Sequence, residues 1–292
     1  MFEHFETRRI RTGEAELHVR LGGAGPPLLL LHGYPQTHAC WHAVAPALAR
    51  HYSLVMPDLR GYGDSHGPPP DPAHERYSKR TMAMDMIELM LELGHERFAL
   101  AGHDRGGRVG YRLALDHPQC IERFAAIDIV PTLSVFESTD MSIAMSSYHW
   151  FFLSQPAPMP ETLIGADPAY YLEHLLSRWA GSRDRLAGTA VAEYARCFAR
   201  PSVIAATCED YRAGATLDIE HDRADREAGR RIECPTLVLW GRGYLKSKTG
   251  SPLEVWREWA TDVREVALDC GHFVLEEEPE AAAAALIEFF AV

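Results

Sequence analysis

Short apolar runs alternate with amphipathic segments along the first half of the chain. Runs of this kind, at 28–32, 52–56, 98–102 and 124–131, are typical of strands buried in a parallel sheet. Between them, helical spacing of apolar residues predicts helices at 41–48, 77–94 and 105–116. Residues 8–21 instead alternate polar and apolar side chains, which predicts an antiparallel edge strand. The order strand–helix–strand indicates an α/β fold with a mostly parallel sheet.

This alternation stops at about residue 132 and returns near residue 223. Aromatic and polar helical segments fill the interval, and then strands at 236–240 and 263–268 and a helix at 277–291 complete the pattern. We therefore predict a core made of residues 1–131 and 223–292, which is a mostly parallel central sheet flanked by helices. Residues 132–222 form an inserted helical lid, which we call the cap.

Composition restricts the class of protein. Contents of 47% hydrophobic and 24% charged residues are typical of a globular protein, and a net charge of −12 argues against nucleic acid as a partner. No uninterrupted apolar run approaches membrane-spanning length, so no membrane is expected as a partner. Six scattered cysteines without C-x-x-C spacing indicate reduced thiols, and the charged N-terminus does not resemble a signal peptide. We expect a cytoplasmic protein.

One aspartate follows the apolar run at 98–102 and is bracketed by glycines. The segment Gly102-His-Asp-Arg-Gly106 fits the nucleophile elbow of hydrolases, with Asp104 in the place of serine. A sharp strand-to-helix turn needs small residues on both sides of the nucleophile. An ordinary helix N-cap at Asp104 would explain the same residues.

A carboxylate nucleophile forms an ester, whose hydrolysis requires a general base and an acid that orients it. His272 follows the last predicted strand, where α/β-hydrolases carry their base. The loop after strand 236–240 contains no carboxylate, so Asp128, at the end of the preceding core strand, is the candidate acid. The alternatives are that His272 has only a structural role and that Asp128 forms a capping hydrogen bond where the core chain enters the cap.

Two arginines lie in the first turn of the helix that Asp104 starts. Arg105 and Arg108 are spaced i, i+3, so both project from one side of the helix. Cations at a helix N-terminus oppose its dipole, and this conflict points to function. Their planar guanidiniums suit a substrate carboxylate. Ion pairs with cap acids such as Glu209 or Asp210 are the alternative.

Motifs along nearly the whole chain resemble the fluoroacetate (haloacetate) dehalogenase family of α/β-hydrolases. In the core they are His32-Gly-Tyr-Pro-Gln36, Pro57-Asp-Leu-Arg-Gly-Tyr-Gly63, Gly102-His-Asp-Arg-Gly-Gly-Arg108 and Ile127-Asp-Ile-Val-Pro131. In the cap they are Tyr148-His-Trp-Phe151, Gln155-Pro-Ala-Pro158, Ile164-Gly-Ala-Asp-Pro168 and Asp210-Tyr-Arg-Ala-Gly214. The cap motifs are the specific ones, because the core motifs fit many relatives.

The resemblance implies a role for each candidate residue. Asp104 would displace halide from the α-carbon of a haloacetate, Arg105 and Arg108 would bind the carboxylate, and His272 with Asp128 would activate water. It also implies that His149, Trp150 and Tyr211 form a halide pocket. The backbone N–H groups of Tyr34 and Arg105 would form the oxyanion site. No metal or organic cofactor is required, and a homodimer is expected.

Three rival functions remain. An epoxide hydrolase would use Asp104 with the cap tyrosines Tyr148 and Tyr211 as acids, although the two arginines would then crowd a neutral substrate. A haloalkane dehalogenase is disfavoured by the same arginines, and a silent receptor by the presence of nucleophile and base. Two features depart from expectation: Cys270 stands before Gly271-His272, and the 241–251 loop carries two lysines and an arginine.

Overall fold

Eight strands form one sheet in the computed structural model, which describes residues 1–245 and 252–291. The strands follow the spatial order β1-β2-β4-β3-β5-β6-β7-β8. Pairs from β4 to β8 are parallel, and β1 and β2 join antiparallel at one edge. The strands are β1 (Glu6–Thr12), β2 (Ala15–Gly22), β3 (Pro27–Leu31), β4 (Ser53–Pro57), β5 (Phe98–His103), β6 (Ile121–Ile127), β7 (Thr236–Gly241) and β8 (Val263–Leu268).

The predicted edge strand at 8–21 is in fact a hairpin of β1 and β2. Gly13, with φ of +50°, makes the turn, and Ile10 pairs with Leu17 across it. Alternation with a period of two continues through a two-residue turn, so the pattern alone does not reveal the reversal. The glycine was the available signal.

Helices cover the sheet where the apolar spacing predicts them. In the core they are α1 (Ala45–Leu48), α2 (Lys79–Glu92), α3 (Arg105–Asp116), α12 (Pro252–Trp259), α13 (Val274–Glu277) and α14 (Pro279–Phe290). The prediction for α3 matches at both ends. The predicted terminal helix is divided, because Pro279 begins α14 and holds Glu278 outside helical geometry at φ −132° and ψ 58°. The predicted helix at 41–48 is a 3-10 turn, His38–Trp41, followed by α1.

Only helices and turns connect β6 to β7. They are α4 (Thr132–Glu137), α5 (Met141–Ser146), α6 (Tyr148–Leu153), α7 (Met159–Ala166), α8 (Pro168–Trp179), α9 (Gly188–Phe198), α10 (Pro201–Gly214) and α11 (Leu217–Glu227). The α/β fold predicted from the sequence, with its parallel sheet and helical insertion, is confirmed. Within the described part of the chain, the helices are too short or too polar to cross a bilayer.

The sheet positions functional groups at one edge. Its central strands are buried on both faces, as their continuous apolar sequences require. Because β3, β5, β6 and β7 are parallel, the residues that follow them meet at their common carboxyl edge. Tyr34, Asp104, Asp128 and Tyr244 all come from these connections.

Candidate active site

Asp104 occupies a strained turn between β5 and α3. Its backbone has φ of +46° and ψ of −116°, which a non-glycine residue rarely adopts. The turn is tight, since a Cβ on Gly102 would lie 2.4 Å from the Gly106 carbonyl oxygen. The Asp104 side chain makes no capping hydrogen bond to α3. Instead, its Oδ1 accepts a hydrogen bond of 2.9 Å from the backbone N–H of Tyr34, so the N-cap interpretation does not describe this carboxylate.

The surroundings keep Asp104 ionised. Burial would raise the pKa of its carboxyl group, but positive charge on His272, Arg105 and Arg108 outweighs burial and lowers this pKa to about 2. The carboxylate is therefore charged and desolvated at neutral pH. These two properties suit a nucleophile.

His272 and Asp128 form a buried pair beside Asp104. The His272 Nδ1 lies 2.5 Å from Asp128 Oδ2, and its Nε2 lies 3.7 Å from Asp104 Oδ2. Asp128 directly follows β6 with φ of +54°, and its Oδ1 accepts a hydrogen bond of 2.9 Å from the backbone N–H of Gly241. The three predicted residues are thus brought together in the order nucleophile, base and acid.

The connection after β7 contributes an aromatic ring to this cluster. The ring centroid of Tyr244 lies 4.4 Å from that of His272. Arg242 points away from the site and pairs with Asp269 on the surface. The two lysines of this loop, Lys246 and Lys248, lie outside the described residues.

Arg105 is engaged by an acid of the cap. Its Nε and Nη2 donate hydrogen bonds of 2.8 and 2.9 Å to the two carboxylate oxygens of Asp210. The alternative of an ion pair with a cap acid therefore describes one edge of this guanidinium. Its Nη1 is buried and has no hydrogen-bond partner among the described residues. Although burial would lower the pKa of Arg105, the charge of Asp210 raises it well above its usual value.

Arg108 has a different environment from Arg105. Its Nη1 donates hydrogen bonds to the Val130 carbonyl (3.0 Å) and the Thr132 hydroxyl (3.1 Å), while its buried Nε has no partner in residues 1–245 and 252–291. Among the described residues it forms no ion pair with a carboxylate. Burial, followed by the charge of Arg105, lowers the pKa of Arg108. Buried cations normally have a paired anion, so a site for an anionic ligand is indicated at the Nε/Nη2 edge.

A small cavity of about 30 Å³ joins these groups. Asp104, Arg108, Asp128 and His272 form its polar wall. The rest of the lining is largely apolar and comes from the β6 connection, the cap and the β7 connection: Ile129, Val130, Val135, Ile143, Ser147, Trp150, Tyr244 and Leu245. Such a cavity, in which few polar groups converge within an apolar wall, is typical of a small-ligand site.

The three residues predicted to bind halide pack against each other. The rings of His149, Trp150 and Tyr211 have centroid separations of 5.8, 5.9 and 6.5 Å. The Arg108 guanidinium carbon lies 4.4 Å from the ring centroid of Trp150, and that of Arg105 lies 4.1 Å from the ring centroid of Tyr211. Trp150 lines the cavity, and His149 and Tyr211 are buried residues that pack on Trp150 without being part of the lining.

The tyrosine pair required by the epoxide alternative is not assembled at the cavity. Tyr148 is half-buried, and its ring contacts His174 at a centroid distance of 6.0 Å. It does not line the cavity. Cys270, the other departure noted from the sequence, is buried, and burial raises the pKa of its thiol well above the usual range.

Two groups of side chains in the described ranges have the spacing to hold a metal ion: His18, His38 and Asp58, and Asp64, Glu193 and Cys197. In the first group both imidazoles contact the Asp58 carboxylate, at 3.1 and 2.8 Å. In the second group both carboxylates are paired with Arg196. Neither group includes a residue that lines the cavity.

Sequence reasoning overlooked two aromatic residues at the site. Trp179, at the end of α8, packs on both His149 and His272, with centroid distances of 4.5 and 5.6 Å. Tyr244 lies in the loop after β7, where a hydrolase is expected to carry a carboxylate rather than an aromatic ring. An aromatic residue shortly after a parallel strand was the available signal for Tyr244, whereas nothing in the sequence distinguishes Trp179 from core packing.

The chain is similar to known proteins along nearly its whole length. Residues 26–279 match the family described as having the alpha/beta hydrolase fold. A fluoroacetate dehalogenase of Burkholderia sp is 45% identical over 290 residues, covering 99% of this chain and 95% of that protein. A soluble epoxide hydrolase of Corynebacterium sp. (strain C12) is 33% identical, covering 94% and 93%. A crystal structure from Nostoc sp PCC 7120 superimposes with a TM-score of 0.96 at 50% identity and covers 99% of both chains.

Proposed function

Since the chain belongs to the α/β-hydrolase family and, within it, to the fluoroacetate dehalogenase family, we propose that it hydrolyses fluoroacetate to glycolate and fluoride. One observation carries the proposal. An ionised nucleophile, Asp104, shares a small cavity with Arg108, a buried cation that has no carboxylate partner among the described residues. A haloacetate supplies both the carbon that Asp104 attacks and the carboxylate that Arg108 lacks.

The substrate carboxylate binds between the two arginines. The Nε/Nη2 edge of Arg108 receives it in a bidentate manner, and the unpartnered Nη1 of Arg105 adds a third donor. Asp210 holds Arg105 in place through its other edge. The two arginines therefore have unequal roles, which their spacing in the sequence does not predict.

The first step is displacement of fluoride by Asp104. Its Oδ1 is occupied by the Tyr34 N–H, so Oδ2 attacks the α-carbon and forms a carboxymethyl ester. The C–F bond breaks with both electrons leaving on fluoride. Donors on His149, Trp150 and Tyr211 receive the compact charge of fluoride, for which preorganised hydrogen bonds are most effective.

The second step hydrolyses the ester. His272 Nε2, on the Oδ2 side of Asp104, takes a proton from water, and Asp128 stabilises the imidazolium. The hydroxide attacks Cγ of Asp104, and the negative charge develops on Oδ1, which already accepts the Tyr34 N–H. The Arg105 N–H, at the first position of α3 where no intrahelical acceptor exists, is the second donor. Collapse releases glycolate, and one proton leaves the enzyme per turnover.

The remaining assignments complete the proposal. The cap comprises residues 132–222, and α11 continues beyond it to Glu227 as the junction with the core. We place the enzyme in the cytoplasm, in keeping with six unpaired cysteines.

A homodimer is expected, and light scattering tests this by measuring the mass of the protein in solution. Exposed apolar side chains on the cap, such as Met141 (83%) and Tyr170 (70%), support association of two copies.

Fluoride release tests the function directly. A fluoride electrode should detect release from fluoroacetate above background, and chloroacetate and bromoacetate extend the panel. Hydrolysis of styrene oxide without fluoride release would favour the epoxide hydrolase alternative instead. The unequal identities of the two relatives, 45% and 33%, favour the dehalogenase.

A substitution at the base tests the mechanism. His272→Asn removes the group needed only in the second step, so the variant should release one fluoride per protein and retain the carboxymethyl ester on Asp104. Intact-mass spectrometry detects the adduct. A folded His272→Asn protein without an adduct after exposure to fluoroacetate would contradict the two-step scheme.

A further inference from the structure

A buried glutamate joins the base-bearing loop to the cap. We propose that Glu277 is a positioning residue for His272, and that it makes the placement of the base depend on the seating of the cap. The inference rests on the proposed function, because it concerns the second step of that reaction. Glu277 is the last residue of α13 and is 4% exposed.

The Glu277 carboxylate accepts hydrogen bonds from backbone amides on both sides of His272. Gly271 N–H donates to Oε2 at 3.1 Å, and Phe273 N–H donates to Oε1 at 3.1 Å. The amide of His272 itself donates to the carbonyl oxygen of Trp179, in the cap, at 2.9 Å. Three consecutive amides are therefore held by acceptors outside their own loop.

The same carboxylate reaches the cap. Its Oε2 also accepts the N–H groups of Gly181 and Ser182, at 2.8 and 3.2 Å. These residues lie two and three positions after Trp179, whose ring packs on His272. One side chain thus joins the loop that carries the base to the cap segment that covers it.

Glycines allow this close approach. A Cβ on Gly271 would lie 2.1 Å from Gly181 N and 2.5 Å from the Trp179 carbonyl oxygen. A Cβ on Gly181 would lie 2.7 Å from Gly271 N and 2.9 Å from Glu277 Oε2. The two backbones are in contact, so a displacement of the cap segment is transmitted to the loop of His272.

Ion pairing does not account for the buried charge. Among the described residues, no lysine, arginine or histidine forms a salt bridge with Glu277, whereas the neighbouring Glu278 pairs with Arg185. The carboxylate is instead solvated by four amides, a role in which an ionised acceptor is about twice as strong as a neutral one. Glutamine at position 277 would keep only one acceptor oxygen. Its NH2 group would face backbone N–H groups, from which it cannot accept a hydrogen bond.

The effect on the reaction should be confined to ester hydrolysis. His272 activates water only after fluoride has left, and a displacement of about 1 Å in a catalytic group costs roughly 100-fold in rate. Alkylation of Asp104 does not require the base. A change at Glu277 should therefore slow the second step about 10- to 100-fold and leave the first step intact.

Three variants test this inference against the wild-type protein. Glu277→Gln weakens the carboxylate contacts, and Gly181→Ala separates the cap segment from the loop while keeping Glu277. Glu278→Gln is the matched control, because it changes an adjacent glutamate whose partner is the half-exposed Arg185. Each protein is mixed with excess fluoroacetate and quenched in acid. Intact-mass spectrometry then gives the fraction that carries the carboxymethyl ester, and the electrode gives fluoride per protein.

Accumulation of ester in Glu277→Gln and Gly181→Ala, with Glu278→Gln resembling wild type, supports the inference. An ester fraction no greater than that of wild type in the folded variants overturns it, whatever the change in total rate. A merely structural lesion would lower the fluoride burst and the steady rate together, without accumulation of ester. Should Glu277→Gln fail to fold, Gly181→Ala alone decides. No fluoride release by the wild-type protein would reject the proposed function rather than the role of Glu277.

Discussion

Replacing Arg108 with methionine should abolish most activity without destabilising the protein. Its Nε/Nη2 edge is where the substrate carboxylate would bind, since Nε is buried without a partner. Two charge-assisted hydrogen bonds of about 1.5–3 kcal/mol each amount to roughly 3–6 kcal/mol. At 1.4 kcal/mol per factor of ten, kcat/KM should fall by about 10²–10⁴.

Unlike the activity, the stability of the Arg108→Met variant should not fall. Arg108 is a buried charge near a second cation, and its pKa is lowered by burial and by Arg105. Methionine removes this charge at similar length, so the free energy of unfolding should be unchanged or higher. The loss of the hydrogen bonds to Val130 and Thr132 limits the gain.

Arg105→Met is the matched comparison. It removes one of the two cations that pair with the buried Asp210, the other being Lys79, and breaking a buried ion pair from one side costs up to about 3–5 kcal/mol. Urea unfolding and fluoride release should therefore separate the two variants: Arg108→Met stable and inactive, Arg105→Met destabilised. Equal destabilisation of both, or a loss of less than tenfold in kcat/KM for Arg108→Met, would refute the unequal roles of the arginines.

Three further predictions concern the leaving group, the ester and pH. Tyr211→Phe should lower turnover of fluoroacetate by about 10²–10³, and of chloroacetate by less, because fluoride depends most on hydrogen bonding; equal losses would contradict this role. A single turnover in H2¹⁸O should place the label in Asp104, not in the glycolate hydroxyl, and peptide mass spectrometry distinguishes the two. Burial lowers the pKa of His32 and His103 to about 4, whereas unfolded histidine titrates near about 6.5. Unfolding therefore takes up protons between pH 6.5 and 4. As the pH falls through this range, the free energy of unfolding should decrease by up to about 3 kcal/mol per histidine. The raised pKa of His38 offsets part of this decrease. Urea titrations showing no such fall would count against neutral buried imidazoles.

The grouping of the three proposed catalytic residues was predictable because each of them follows the end of a strand. Asp104, Asp128 and His272 follow β5, β6 and β8, and parallel strands bring their carboxyl ends together. Placing the acid at Asp128 followed from the absence of a carboxylate in residues 241–251. The dehalogenase family, inferred from motifs, is confirmed by the comparison with the Burkholderia protein.

The partners of the arginines were not predictable in the same way. Spacing of i, i+3 places Arg105 and Arg108 on one side of a helix but does not say which of them meets an acid of the cap. Asp210 lies 105 residues further along the chain than Arg105. The contacts of Glu277 also depend on backbone amides, which every residue carries and which therefore leave no mark in the sequence.

The buried ion pairs between cap and core have a consequence for how ligands reach Asp104. Arg105 with Asp210, Lys79 with Asp218 and Arg112 with Asp222 each join a core helix to α10 or α11. Lifting the cap would separate all three pairs at once, although water would then solvate each separated charge. Because these contacts would have to break together for the cap to lift, we expect haloacid and halide to exchange past side chains at the cavity mouth, where the size of the passage would select the substrate before the chemistry begins.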